Sequence, residues 1–251
     1  MNKLLFLIIF ILMGTATAYA NITTIQAEYE LKMKSAISGF ETKKYTLETA
    51  EKLDKESEAI LKILRNNANL KQLEIINKNI SLWNTYTEIS KNPCIRLLNQ
   101  ELGSIYQEIA TSIVYSQSYT KAKTFQYIIP EIKFDFNNTY TDNLNYCIAN
   151  AKNMKAKSQC FEKETDELNN NIIKHIESLS YKLKNTDYKN LLINQKSWEN
   201  LVSHTQTHLF KLIDNIETED KELKKYQILF LLFETRNSEL HALLLLPNRD
   251  F

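Results

Sequence analysis

Two pairs of side chains are spaced so that they could do chemistry together. His204 and His208 stand four apart in His204-Thr205-Gln206-Thr207-His208, a spacing that sets two imidazoles on one helical face where they could chelate a metal. No glutamate follows His204, so the zinc-protease pattern is missing, and no third ligand is apparent. The pair is read as adjacent polar groups on an exposed face, and no metal or other cofactor is expected. Cys147 and Cys160 form the second pair, 13 residues apart. The remaining cysteine, Cys94, has no identifiable histidine and acid partner, and neither a glycine-rich phosphate loop nor a nucleophile elbow occurs. Catalysis would have to rest on scattered carboxylates, so the chain is not expected to be an enzyme.

The carboxylates gather in two places. Glu162, Glu164, Asp166 and Glu167 crowd the start of one predicted helix, where they complement the positive end of the helix dipole. Asp214, Glu217, Glu219, Asp220 and Glu222 crowd a predicted turn between the last two helices. That turn is either a solvated loop or a protruding recognition loop.

The elements that carry these residues repeat. Trp83 and Trp198, the only tryptophans, lie 115 residues apart, and the register that superposes them also superposes Leu53 on Leu168, Leu64 on Leu179 and Thr120-Lys121 on Thr235-Arg236. Beyond residue 20 the glycines are Gly39 and Gly103 and the prolines Pro93, Pro130 and Pro247, so few breakers favour long helices over tight hairpins. From Asn185 to Asp214, Leu191, Leu192, Trp198, Leu201, Val202, Leu209, Leu212 and Ile213 recur at three and four, with Gln195 and Thr205 completing the stripe. In the first copy Leu73, Ile76, Ile80, Trp83 and Tyr86 repeat it until Asn92-Pro93, since the residue before proline resists helix. Pro93 has no partner in the second copy, so matching helix ends do not follow.

The pattern predicts four helical segments per copy: 24–38, 44–65, 68–91 and 94–129, then 142–155, 158–184, 187–214 and 219–246. The fold class is therefore all-α, two tandem homologous antiparallel bundles, a module at 21–129 and another at 142–251. A linker at 130–141 joins them, with Phe134 and Phe136 packed down. Burial shared between the copies would make them one body.

The first 20 residues read as a cleaved secretory signal: Met1-Asn2-Lys3, the apolar run Leu4 to Met13, and a small-x-small site at Ala18-Tyr19-Ala20, with Ala16-Thr17-Ala18 as an alternative cut. No later stretch approaches the roughly 18 apolar residues a membrane span needs, so a periplasmic or secreted protein without a membrane is expected. Without Lys3 the chain carries 30 basic and 30 acidic residues, and the lack of a basic face argues against nucleic acid. In an exported protein Cys147 and Cys160 are expected to be disulfide-bonded, a loop closure worth about 3 kcal/mol. The same register puts Lys32 and Tyr45 at these places in the first copy. Cys94 is left either free and buried or paired with another molecule.

Cys147 to Cys160, Thr165-Asp166-Glu167-Leu168-Asn169, Asn194-Gln195-Lys196-Ser197-Trp198 and Arg236-Asn237-Ser238-Glu239-Leu240, taken in order, resemble the LprI-type lysozyme-inhibitor domain. The likeness covers about 100 residues of the second copy. The chain departs from the family at Leu209 and Phe230, where a second cysteine pair would stand, and at Ile172, where a tyrosine is frequent. The first copy, with Trp83, Lys121-Ala122-Lys123-Thr124-Phe125 and only Cys94, resembles a degenerate relative. The resemblance implies a small exported helical domain that in some members inhibits lysozyme, by occluding the cleft that holds the enzyme's two carboxylates. Against a cationic lysozyme an acidic surface helps.

Trp83, Trp198, Leu168, Gln195 and Arg236 are expected as helix-core anchors, with each indole N–H seeking an acceptor such as a backbone carbonyl. Glu162, Glu164, Asp166, Asp214, Glu217, Glu219 and Asp220 are the candidate partner-binding residues. Tyr86, Tyr106, Tyr115 and Tyr119 would be partly exposed if the first copy presents a sugar-binding groove. The expected partner is a protein, lysozyme or a related muramidase; the alternative is an envelope or secreted interaction module without inhibitor activity.

Overall fold

Repetition in the sequence becomes repetition in the helices. The computed structural model describes residues 22–88, 92–100, 103–129 and 140–247; the expected signal peptide and most of the expected linker, with Phe134 and Phe136, lie outside the described residues. Every regular element among them is helical. The first copy contributes α1 (22–35), α2 (Gly39–Asn67), α3 (Leu70–Thr87), α4 (Pro93–Gln100) and α5 (Ser104–Gln126). The second contributes α6 (Asp142–Asn150), α7 (Met154–Lys182), α8 (Asn185–His204), α9 (Phe210–Asp214) and α10 (Lys221–Leu244).

The 115-residue register holds to the residue in α2 and α7. Both have 29 residues, and both are started by a side-chain cap, Ser38 accepting from the Glu41 N–H and Asn153 from the Ala156 N–H. Both end alike, the Ala68 N–H bonding to the Leu64 carbonyl and the Leu183 N–H to Leu179. Matching ends therefore do occur where polar caps fix them. They diverge where Pro93 intervenes. α3 stops at Thr87, earlier than expected, and α4 begins afresh on Asn92, whose Oδ1 accepts from the Cys94 and Ile95 N–H groups at 3.0 and 3.4 Å. Pro93 takes the first helical position, where its missing N–H costs nothing. With no proline, the second copy runs on from α8 into a π-helical turn at Thr205–Leu209 and then α9, an insertion of the kind that absorbs a surplus residue within a helix. The expected single helix 94–129 is likewise divided, into α4 and α5, with Gly103 capping α5.

Pairing then joins the copies. Within each half the two long helices pack together, α2 on α5 and α7 on α10, whereas α3 packs on α8, α5 on α10, and α4 against both α8 and α10. One continuous buried cluster includes Leu53, Leu64 and Trp83 of the first copy and Leu179, Trp198 and Leu240 of the second. Self-contained bundles are thus replaced by a shared core. Where α5 meets α10, the Oγ1 atoms of Thr120 and Thr235 are 3.0 Å apart. Residues equivalent under the repeat can touch only near the axis that relates the copies, so these threonines mark it.

The disulfide expected at Cys147–Cys160 is present, with Cα atoms 5.8 Å apart, tying α6 to α7. At the matching place in the first copy Lys32 Nζ lies 5.2 Å from the centre of the Tyr45 ring. A cation–π contact of about 0.5–1 kcal/mol stands where the second copy has a covalent link worth about 3 kcal/mol.

Candidate functional site

Both tryptophans are buried. The Trp198 N–H donates to the Leu232 carbonyl at 3.3 Å, but Trp83, packed 6.0 Å from the Tyr86 ring, finds no acceptor among the described residues. Leu168 is half-buried against the core. Gln195 and Arg236 come together at the centre of a buried polar network. The Arg236 Nε–H donates to Gln195 Oε1 at 2.9 Å, and Nη1 donates to Asn194 Oδ1 and Glu239 Oε2, each at 2.7 Å. Glu239 Oε1 accepts from Tyr86 Oη at 2.7 Å and from Gln117 Nε2 at 2.6 Å. Cys94 Sγ is 3.8 Å from Arg236 Nη1, and burial pushes its thiol up to about 12. Cys94 is free and fully buried, so the first of its two expected states is the one found. Tyr86 is interior too, its phenol raised well above the usual range by burial and Glu239; it cannot wall a groove as expected. Leu192 leaves the dry stripe for the surface, and Asn194 takes the buried place.

Near the π-helical turn the His204 and His208 rings stack with centroids 4.9 Å apart. Burial, His208 and Lys78 lower His204 to about 4, so it is neutral at pH 7. Asn79 Nδ2 lies 3.3 Å from its Nδ1 and donates to Thr205 Oγ1 at 3.0 Å. His204 is a half-buried link between the copies. Among the described residues no three His, Cys, Asp or Glu side chains group to hold a metal.

The acidic runs, some 50 residues apart in sequence, meet across one cleft of about 540 Å³ between α7 and α10, which Gln206 and Phe210 also line. α7 presents Glu162 and Asp166, one turn apart on the same exposed face; α10 presents Glu222, Lys225 and Tyr226. Phe210, Leu229 and Phe233 supply the apolar lining. Tyr226 Oη donates to Glu162 Oε1 at 3.1 Å. Lys225 pairs with Glu222 at 2.8 Å and with Asp214. Two carboxylates, Asp214 and Glu222, thus hold the Lys225 ammonium, and Glu162 and Asp166 line the same cleft beside its aromatic surface. The cleft is anionic and partly apolar.

The other candidates fall elsewhere. Glu164 accepts from Thr141 at 3.2 Å, toward α6. Glu217 and Glu219 are exposed in the connection before α10. Asp220 is buried and paired with the fully buried Lys224 at 3.3 Å, so it fastens the start of α10 and is closed to a partner. The walls of the cleft come from helices, and periodicity within either one could not have found it: Glu162 and Asp166 on α7 and Phe233 on α10 fall on faces that the long-range pairing alone brings together.

Fold and site together define an all-helical protein with a disulfide and an acidic, aromatic-lined cleft in its second half. In comparisons with known proteins, no family model, curated protein or solved structure matches the chain.

Proposed function

We propose that the protein is an exported, non-catalytic binding protein whose second copy inhibits lysozyme or a related muramidase through the cleft between α7 and α10. The convergence of Glu162, Asp166 and Glu222 around an apolar lining, with Asp214 paired to the lining Lys225, is the observation that carries this reading. Such a surface suits a partner presenting lysine or arginine beside apolar side chains, as a cationic muramidase does, and long-range attraction between the two speeds their encounter. The ordered residues shared with LprI-type inhibitor domains support the same partner, and the Cys147–Cys160 link suits an exported, oxidised compartment. Among the described residues no helix is long and apolar enough to cross a membrane, which accords with a protein released after signal cleavage.

Turbidity of a cell-wall suspension lysed by a cationic lysozyme, with and without the purified chain lacking residues 1–20, tests the proposal. Slower lysis in the presence of the protein, relieved by added salt, is expected. Unchanged lysis at excess protein removes the inhibitor and leaves the cleft to an interaction module without that activity.

A further inference from the structure

A second cleft lies on the axis relating the two copies. Its volume is about 320 Å³, at the small end of the range for small-molecule sites. Its walls are α5 and α10, and repeat-equivalent pairs face one another in it: Ser116 with Leu231, Thr120 with Thr235, and Tyr119 with Glu234. The last pair breaks the symmetry. Where the first copy has an aromatic ring, the second has a carboxylate.

α1 adds Tyr29, and the three tyrosines form a ladder. The Tyr29 and Tyr115 rings stack at 4.5 Å and those of Tyr115 and Tyr119 at 6.1 Å. The outer rungs are held by Tyr29 Oη to Thr46 Oγ1 at 3.3 Å and Tyr119 Oη to Gln26 Oε1 at 3.2 Å. Neither the Glu234 carboxyl nor the Tyr115 hydroxyl has a hydrogen bond or ion pair with any described residue, and both line the cleft. A half-buried carboxylate without a partner is costly, and its place in a cleft marks a site waiting for a counter-ion.

The surrounding charge sets the sign of that counter-ion. Glu30 on α1 also lines the cleft, Glu164 on α7 acts on Glu234 through space, and among the described residues no lysine or arginine lines it. We propose that this cleft binds a small organic cation, an ammonium group on an aromatic or aliphatic body, with Glu234 as its counter-ion and the tyrosine ladder as its apolar wall. The site is separate from the muramidase-facing cleft and does not depend on it.

Occupancy follows pH. Burial and the Glu164 charge push the Glu234 carboxyl up to about 7, so the carboxylate that holds the cation forms only as pH rises through that value. Among the described residues the other titratable groups around it are Tyr29 and Glu30 from α1, Tyr115 and Tyr119 from α5, Tyr140 ahead of α6 and Glu164 from α7, while the Lys123 ammonium, 5.8 Å from the centre of the Tyr119 ring, does not line the cleft. None of the lining groups supplies a positive charge that could substitute for the ligand.

Isothermal titration of the purified chain with benzylammonium, and with benzyl alcohol as its neutral counterpart, tests the assignment. Saturable binding of the ammonium at pH 8, weaker at pH 5.5, and none of the alcohol is expected. Glu234→Gln should weaken binding roughly tenfold to hundredfold, the range for losing a hydrogen bond to a charged group. That variant removes an unpartnered carboxylate, so its thermal unfolding at pH 8 should show a fold at least as stable as the parent. Equal binding of alcohol and ammonium, absence of saturable heat, or an affinity unchanged in Glu234→Gln would overturn the proposal.

Discussion

Replacing Arg236 with methionine should be among the most damaging single changes in this molecule. The guanidinium is fully buried and bonds to Gln195, Asn194 and Glu239. Methionine fills much of its volume but leaves Glu239 with only the neutral donors Tyr86 and Gln117, and strips Gln195 Oε1 and Asn194 Oδ1 of their donor. An uncompensated buried charge costs about 3–5 kcal/mol. In a chain of this length each kcal/mol lowers Tm by roughly 2–4 °C, so a fall of about 10 °C is expected. Because the bonded groups come from α3, α5, α8 and α10, the loss should loosen both halves together. Urea unfolding of Arg236→Met, Glu239→Leu and the double variant measures this directly. The double variant should lose less than the two single losses added, by about 3 kcal/mol, since neither partner is left charged and alone. A single loss below about 1 kcal/mol, or strict additivity, would show that the network is dispensable.

Three further outcomes follow from the same structure. Changing Cys147 and Cys160 together to serine should lower unfolding stability by about 3 kcal/mol, measured by urea titration, whereas Lys32→Ala at the matching place should cost about 1 kcal/mol or less. Cys94, buried beside Arg236 and pushed up to about 12, should resist iodoacetamide at pH 8 in the native protein and take up one equivalent only after denaturation. Glu234, raised from 4.5 to about 7, favours its protonated form in the fold. Stability is therefore greatest below the unfolded value and declines as pH rises toward 7, so Glu234→Gln should gain up to about 3 kcal/mol at pH 8 and nothing near pH 4, read from Tm against pH.

Helix content, the repeat and the disulfide were all legible in the sequence, because each is written in local spacing: apolar residues at three and four, a 115-residue register and cysteines 13 apart. The caps at Ser38 and Asn153 are also local. What spacing cannot state is which face meets which helix. The exchange that packs α3 on α8 depends on the axis through Thr120 and Thr235, and nothing in either copy alone declares it. Asn79 and Asn194 are a missed signal: they are equivalent under the repeat and both buried. Polar residues at matched positions on two dry stripes suggest packing at a shared interface. Asp220 shows the converse difficulty, since a carboxylate in an acidic run looks solvated until the burial of Lys224 beside it is seen. The acidic cleft itself needed tertiary structure, because Glu162 and Glu222 lie 60 residues apart.

The most direct test is a titration of lysozyme-driven cell-wall lysis with the parent protein and with a Glu162→Gln, Asp166→Asn, Glu222→Gln variant. The three side chains are exposed, so the variant should fold as the parent does. Inhibition by the parent, and at least a roughly tenfold higher concentration needed for the same effect by the variant, are expected. Lysis unaffected by the parent, or equal inhibition by both proteins, would contradict a role for the cleft in holding a muramidase.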